Sequence, residues 1–166
     1  MPGRNEKPAG KGAALGRVVV SNRQRKARVS VRALSGLASS LAALARVCLD
    51  EATLILVDDV GCALINAAAV GHEGPTDVIT LSYPALPGEE GGDSAEIVLN
   101  VERAIQQRPE DPSAELAFYL AHAFNHLSGR DDDTSARRTA MHRREHRWLA
   151  RLSPLPLLVR VGRDVV

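Results

Sequence analysis

In Asp111-Pro112-Ser-Ala-Glu115-Leu116-Ala-Phe-Tyr-Leu120-Ala-His122-Ala-Phe124-Asn-His126-Leu127-Ser-Gly129-Arg-Asp-Asp132, an aspartate precedes a proline and apolar residues then recur at helical spacing. Asp111 is a good N-cap and Pro112 a good first helical residue, because the missing proline N–H is one that a helix start leaves unpaired anyway. Leu116, Leu120, Phe124 and Leu127 line one stripe, and Gly129 offers the conformational freedom that ends a helix. A second helix is expected from about Ser135 to Leu152, burying Met141, Trp148, Leu149 and Leu152, until Pro154 and Pro156 stop it.

Upstream the periodicity changes. Arg17 to Ser21, with Val18, Val19 and Val20, reads as a strand, and Val29 to Leu49 as an amphipathic helix carrying Val31, Leu34, Leu37, Leu41, Leu44 and Val47. Ala52 to Val57 reads as a strand, Gly61 to Val70 as a short helix closed by Gly71, and Asp77 to Tyr83 and Glu96 to Val101 as two further strands. The sum is one α+β domain: a mixed β-sheet of about four strands packed with helices, one of them a zincin-like metal helix. It is expected over residues 17–153, between a disordered basic leader at 1–16, which stays out of the core, and an apolar tail at 154–166 that trails off.

With 166 residues, 45% hydrophobic and 25% charged, the composition is that of a soluble globular protein. Cys48 and Cys62 cannot form a disulfide framework, and neither a signal peptide nor an apolar span of about 18 residues is present, so a reducing, cytoplasmic location is expected. Cys48 reads as buried and Cys62 as structural. Aromatics are only 3%, which excludes base stacking on many rings as a source of RNA affinity. The net charge of +1 conceals a segregation: residues 1–32 carry nine Lys/Arg against Glu6, 33–133 four arginines against seventeen acids, and 134–166 eight arginines against two acids. Basic ends brought to one face would attract phosphates.

The chemistry concentrates at His122-x3-His126-x2-Gly129-x2-Asp132. Residues i and i+4 share a helix face, so two imidazoles can meet one ion, and a reversal at Gly129 returns a carboxylate from Asp131, Asp132 or Asp133. Spacing selects Asp132. Three ligands leave one position of a zinc-like ion open to water, whose pKa falls until it becomes a nucleophile.

This motif resembles the signature His-Gly-x-Leu-His-Leu-x-Gly-Tyr-Asp-His of the bacterial YbeY endoribonuclease, or rRNA maturation factor, family. Asn66 followed by Pro75-Thr76-Asp77-Val78-Ile79-Thr80 is similar to the family's Asn and Thr-Asp-Val-Leu-Ser stretch. Ala95-Glu96-Ile97-Val98 is similar to its Gly-Asp-Ile-Val strand, and Glu115-Leu116, Met141 and Glu145 also find counterparts, so that the likeness runs from about Val18 to Leu152. The resemblance implies a single-strand-specific, metal-dependent endoribonuclease in rRNA maturation and ribosome biogenesis, with one zinc-type ion per chain and with rRNA and ribosomal particles as partners. It places His122 and His126 on the first two metal histidines, with Asp132 in place of the third, an anionic and harder ligand. No catalytic side chain is assigned. The arginine that the family carries four residues after its Asn falls on Val70. Arg130, Arg137 and Arg138, beside the motif, are the candidates for holding RNA phosphates.

Rival readings are weaker. A metzincin protease needs a glutamate at position 123 as general base, and Ala123 stands there. His142-Arg-Arg-Glu145-His146 matches an inverted zinc motif, but its arginines repel a cation, and it reads as a solvated helix face. Asp58, Asp59 and His72 read as turn and loop residues, and Glu115 as a first-turn acid that also shares a face with His122. Besides the endoribonuclease, two classes stay open: a ribosome-assembly binding factor that keeps the metal site, which Val70 favours, and a metallohydrolase of a small molecule or peptide.

Overall fold

The first strand, β1 (Leu15–Asn22), runs parallel to β3 (Leu49–Val57), from Leu15 opposite Leu49 to Asn22 opposite Leu56. Parallel neighbours need a crossover, and helix α1 (Val31–Ala45) supplies it, with the two-residue strand β2 (Arg28–Val29) just ahead of it. The structure is a computed structural model describing residues 14–162. Ser30 caps α1, its hydroxyl accepting from the Ala33 amide, and Leu34, Leu37 and Leu41 are buried, whereas Val31, at the end of the stripe, is half exposed. The helix is thus shorter than the expected Val29 to Leu49, since Val29 lies in β2 and Leu49 opens β3.

β3 continues the sheet to β5 (Ser94–Asn100), also parallel, and β4 (Val78–Tyr83) closes the far edge antiparallel to β5, giving the order β1-β3-β5-β4. This is the mixed four-stranded sheet expected. A strand covered on both faces must be apolar on both, and β3 is: Leu54 and Leu56 enter the main core with Ile97 and Leu99, while Ile55 and Val57 face Cys62, Ile79 and Val98 on the other side. Cys62 belongs to α2 (Asp59–Ile65), capped by Asp58 and continued by a π-helical turn, Asn66–Val70, that ends at Gly71.

Helix α3 (Val101–Gln107) was not foreseen. It starts directly at the end of β5, where the Asn100 side chain accepts from the Arg103 amide, and it buries only Val101 and Ala104, too few for a periodicity. Helix α4 (Pro112–Leu127) has the predicted Asp111 cap and buries Leu116, Leu120 and Phe124 between sheet and helices; α5 (Ser135–Arg151), capped by Thr134, packs along it.

Both expected boundaries need correcting. Leu15, assigned to the leader, lies in β1 and is buried in the core; the leader's first thirteen residues lie outside the described residues. The tail does not trail off: Leu158 and Val159 are buried, and β6 (Val159–Arg160) pairs antiparallel with β2. The physical reason is that its backbone polar groups find partners on the way in. Ser113 Oγ accepts from the amides of Leu158 at 3.0 Å and Val159 at 2.9 Å, and the Ser30 amide donates to the Leu158 carbonyl at 2.9 Å. Cys48 is exposed rather than buried, at the turn into β3, while Cys62 is fully buried.

Candidate metal centre

Just beyond the end of α4, Gly129, at φ 93°, takes the left-handed conformation that a Cβ would strain. The chain reverses there and brings Asp132 back beside the last turn of the helix. His122 Nε2 lies 3.0 Å from His126 Nε2, with the rings nearly perpendicular, and the Asp132 carboxylate oxygens stand 3.6 Å from His122 Nε2 and 3.8 Å from His126 Nε2. The three groups selected by spacing are brought together. Asp131 and Asp133 turn elsewhere: Asp131 accepts from the Asp132 amide, and Asp133 pairs with Arg137 at 2.8 Å.

The hydrogen bonds on the far side of each ring decide what the near side offers. His122 Nδ1 is 2.8 Å from Glu145 Oε1 and His126 Nδ1 is 3.1 Å from the Arg130 carbonyl oxygen. A carboxylate and a carbonyl oxygen accept, so in the neutral rings both Nδ1 atoms carry the proton and both Nε2 atoms present lone pairs. Two lone pairs 3.0 Å apart repel unless a cation or a shared proton lies between them. Zinc–nitrogen bonds of 2.0–2.1 Å at a tetrahedral angle imply a separation of about 3.3 Å, so this donor set fits such an ion.

Glu145 is the residue that sequence reasoning misread. The face around His142 and His146 was expected to be solvated, and Arg143 and His146 are exposed, yet Glu145 is fully buried. His142 and His146 pack on Phe118, with ring centroids at 5.4 Å and 5.2 Å. Glu145 is held from two sides, since Asn125 Nδ2 donates to the same Oε1 at 3.0 Å. The signal was available: Met141, Glu145, Trp148 and Leu149 form one stripe, and a lone acid on an apolar stripe has a buried partner. His122, His142 and Glu145 form a second set of close donor atoms, but it shares His122 with the first through a nitrogen already hydrogen-bonded to Glu145. Glu115, seven residues before His122, instead lies 3.6 Å from Arg108.

Burial disfavours the His122 imidazolium, but the hydrogen bond and charge of Glu145, helped by Asp132 and Asp77, more than offset this and raise its pKa above the ordinary 6.5. A metal takes the neutral ring, so proton and metal compete. Metal affinity should fall as pH drops through that raised value, a loss that begins above pH 6.5. Glu145→Gln removes the carboxylate charge that raises the pKa and the strong acceptor that orients the ring. We expect its metal affinity near neutral pH to fall by about 10–100-fold and the pH below which that affinity begins to decline to move lower, both readable in competition titrations with a chromogenic chelator.

A cavity of about 670 Å³ opens over the triad, walled by β4 and by Asn66, Val70, His72 and Thr76. Asn66 is buried, its Nδ2 donating to the Gly74 carbonyl at 2.9 Å, which ties the loop before β4 to the π-helical turn. That turn places Val70, 40% exposed, on the cavity wall, so the position where an arginine would matter chemically is next to the triad and carries no charge. Asp58 and Asp59 serve as cap and as hydrogen-bond acceptor for Asn100. Of the arginines singled out, Arg130 and Arg137 line a different cavity on the α5 side, and Arg138 reaches back to the Asp132 carbonyl at 3.4 Å.

Fold and site together define an α+β protein whose histidine helix and returning carboxylate fit one divalent cation. Over residues 16–153 the chain matches the family described as Endoribonuclease YbeY, and it belongs to that family. It is 34% identical over 111 residues to the endoribonuclease YbeY of Moorella thermoacetica, covering 60% of this chain and 71% of that protein. It is 40% identical over 113 residues to that of Sinorhizobium medicae, covering 61% and 64%. The matched segment spans 47% of the length of the Rhodopirellula baltica relative and 72% of that of Pelotomaculum thermopropionicum. The fold is also that of TM1509 from Thermotoga maritima, solved in solution, with a TM-score of 0.52, 19% identity, and coverage of 79% of this chain and 85% of that one.

Proposed function

We propose that this protein is a metal-dependent, single-strand-specific endoribonuclease acting in rRNA maturation and ribosome biogenesis, cytoplasmic, with rRNA and ribosomal particles as its partners. Among the described residues no helix is long and apolar enough to cross a membrane, in keeping with that setting. The observation that carries the reading is the pair of Nε2 nitrogens 3.0 Å apart with a carboxylate beside them, in a chain of the YbeY family. His122, His126 and Asp132 would hold one zinc-type ion. When bound, such an ion acidifies a water and stabilises negative charge on a phosphoryl oxygen.

The chain's own groups do the rest. Glu145 and the Arg130 carbonyl hold the two rings in the tautomer that faces the cavity, and the buried Glu145 resists rotation of His122. Arg130, Arg137 and Arg138 concentrate positive charge beside the triad and draw the phosphate backbone toward it. The working unit extends beyond residues 17–153 to take in Leu15, in β1, and the Leu158–Val159 segment, both part of the core.

Cleavage of a single-stranded oligoribonucleotide should stop on chelation and return with added zinc, while the same sequence in a duplex stays intact. Cleavage that survives chelation contradicts the proposal. Val70 favours a second reading, a ribosome-assembly binding factor that keeps the metal site. In that case the wild type binds metal and RNA without cutting, and Val70→Arg gains cleavage, because a guanidinium then faces the triad's cavity.

A further inference from the structure

On the α5 side of the α4–α5 turn lies a cavity of about 490 Å³ whose wall carries Arg130, Arg137, Arg144 and Arg147 against a single carboxylate, that of Asp131, above a floor that includes Met141. Four guanidinium groups around one concavity repel one another. Arg137 is partly relieved by Asp133, at 2.8 and 3.0 Å, but among the described residues no carboxylate lies within 4 Å of Arg130, Arg144 or Arg147. Arg144 is also fixed in place. Its Nη1 donates to Asn125 Oδ1 and to Ser128 Oγ, both at 2.9 Å, and its guanidinium carbon sits 4.5 Å from the centre of the Trp148 ring. Both Nη1 protons are thereby used, and Nε and Nη2 keep three donors for a ligand. Burial, with the charges of Arg130 and Arg147, pulls its pKa below the usual arginine value, as expected of a cation held among cations.

We propose that this arginine cavity binds a phosphate of the RNA strand, at a position other than the one facing the His122–His126–Asp132 triad. A fixed, planar guanidinium with neighbouring cations matches a phosphodiester in shape and charge. The cavity is also adjacent to the triad. The Gly129–Asp132 turn separates the two, showing Asp132 to the histidines on one side and Arg130 and Asp131 to the arginine cavity on the other, while the Arg130 carbonyl holds His126. A strand lying across the triad continues over this turn. Arg144 further joins the two sites by hydrogen bonds, through Asn125 to Glu145 and from Glu145 to His122. The sequence pointed to Arg130 and Arg137 here, but Arg144 and Arg147 emerge only from the packing of α5 on α4.

This proposal rests on the RNA reading above, and its test separates the two. Binding of a fluorescent single-stranded oligoribonucleotide is followed by anisotropy across a range of salt, with chelator present so that nothing is cut, for the wild type, Arg144→Gln and the more exposed Arg147→Gln. Circular dichroism checks the fold, and Arg147→Gln keeps the test open should Arg144→Gln not fold. Weaker binding with a salt slope reduced by about 0.7 per lost phosphate contact, the value for single strands, supports the cavity. Unchanged affinity and slope in folded variants overturn it, even where zinc-dependent cleavage by the wild type stands. Conversely, a wild type that cuts nothing defeats the nuclease reading and leaves a reduced slope intact as evidence for the cavity. Inorganic phosphate is titrated as a second probe at constant ionic strength. If phosphate binds the wild type and loses affinity in both variants while the oligonucleotide ignores both substitutions, the cavity holds free phosphate and is not a strand site.

Discussion

His122→Ala is expected to abolish cleavage, a fall of at least roughly a thousandfold, since about 4 kcal/mol of transition-state stabilisation is a modest share for a lost metal centre. The substitution removes one of two nitrogens 3.0 Å apart and a ring that faces both Asp132 and Glu145. It also takes the His122 ring away from Glu145, which is fully buried and keeps only the Asn125 amide as a partner, and breaking a buried pair costs about 3–5 kcal/mol. Loss of activity could then follow from loss of fold. Adding Glu145→Gln to His122→Ala restores a neutral interior, and a folded double variant that remains inactive assigns the loss to the site. Activity within tenfold of wild type in the folded double variant would mean that cleavage occurs elsewhere.

Phe124→Ala is expected to lower the free energy of unfolding by about 3–5 kcal/mol, a large part of the roughly 5–15 kcal/mol that holds such a domain together. Phe124 lies on α4 between the two histidines, is wholly buried, and belongs to the main core shared by α1, α4 and the β3–β5 face of the sheet. Its removal leaves a cavity that the surrounding leucines cannot close. Denaturant titration followed at Trp148, itself buried at the α5 face, reads the effect; a shift below about 1 kcal/mol would mean that α4 is not anchored through this residue.

What was legible in the residues was whatever rests on local rules. The start of α4 was readable from Asp111-Pro112, its stripe from the spacing of Leu116, Leu120 and Phe124, and its end from Gly129. The triad followed because an i, i+4 pair and a reversal are geometric consequences of a helix with a glycine stop. The features that escaped depend on partners distant in sequence. Leu158 and Val159 read as a loose tail because nothing local reveals that Ser113 accepts from their amides and that β2 waits to pair with them. α3 is a short helix held by Asn100, which also bonds to Asp59 and Thr76. Glu145 looked like one charge among many arginines until α5 packed its Met141–Leu149 stripe against α4 and brought the carboxylate to His122.

The most direct test of the account is elemental analysis of the purified protein beside its His126→Ala variant. His126 is the safer choice because its side chain is 29% exposed and its far nitrogen bonds to a backbone carbonyl rather than to a buried charge. The wild type should carry about one zinc-type ion per chain, and the folded variant essentially none. A well-folded wild type that neither carries nor takes up a transition metal, or a variant that retains the full complement, would contradict the claim that His122, His126 and Asp132 form the metal centre.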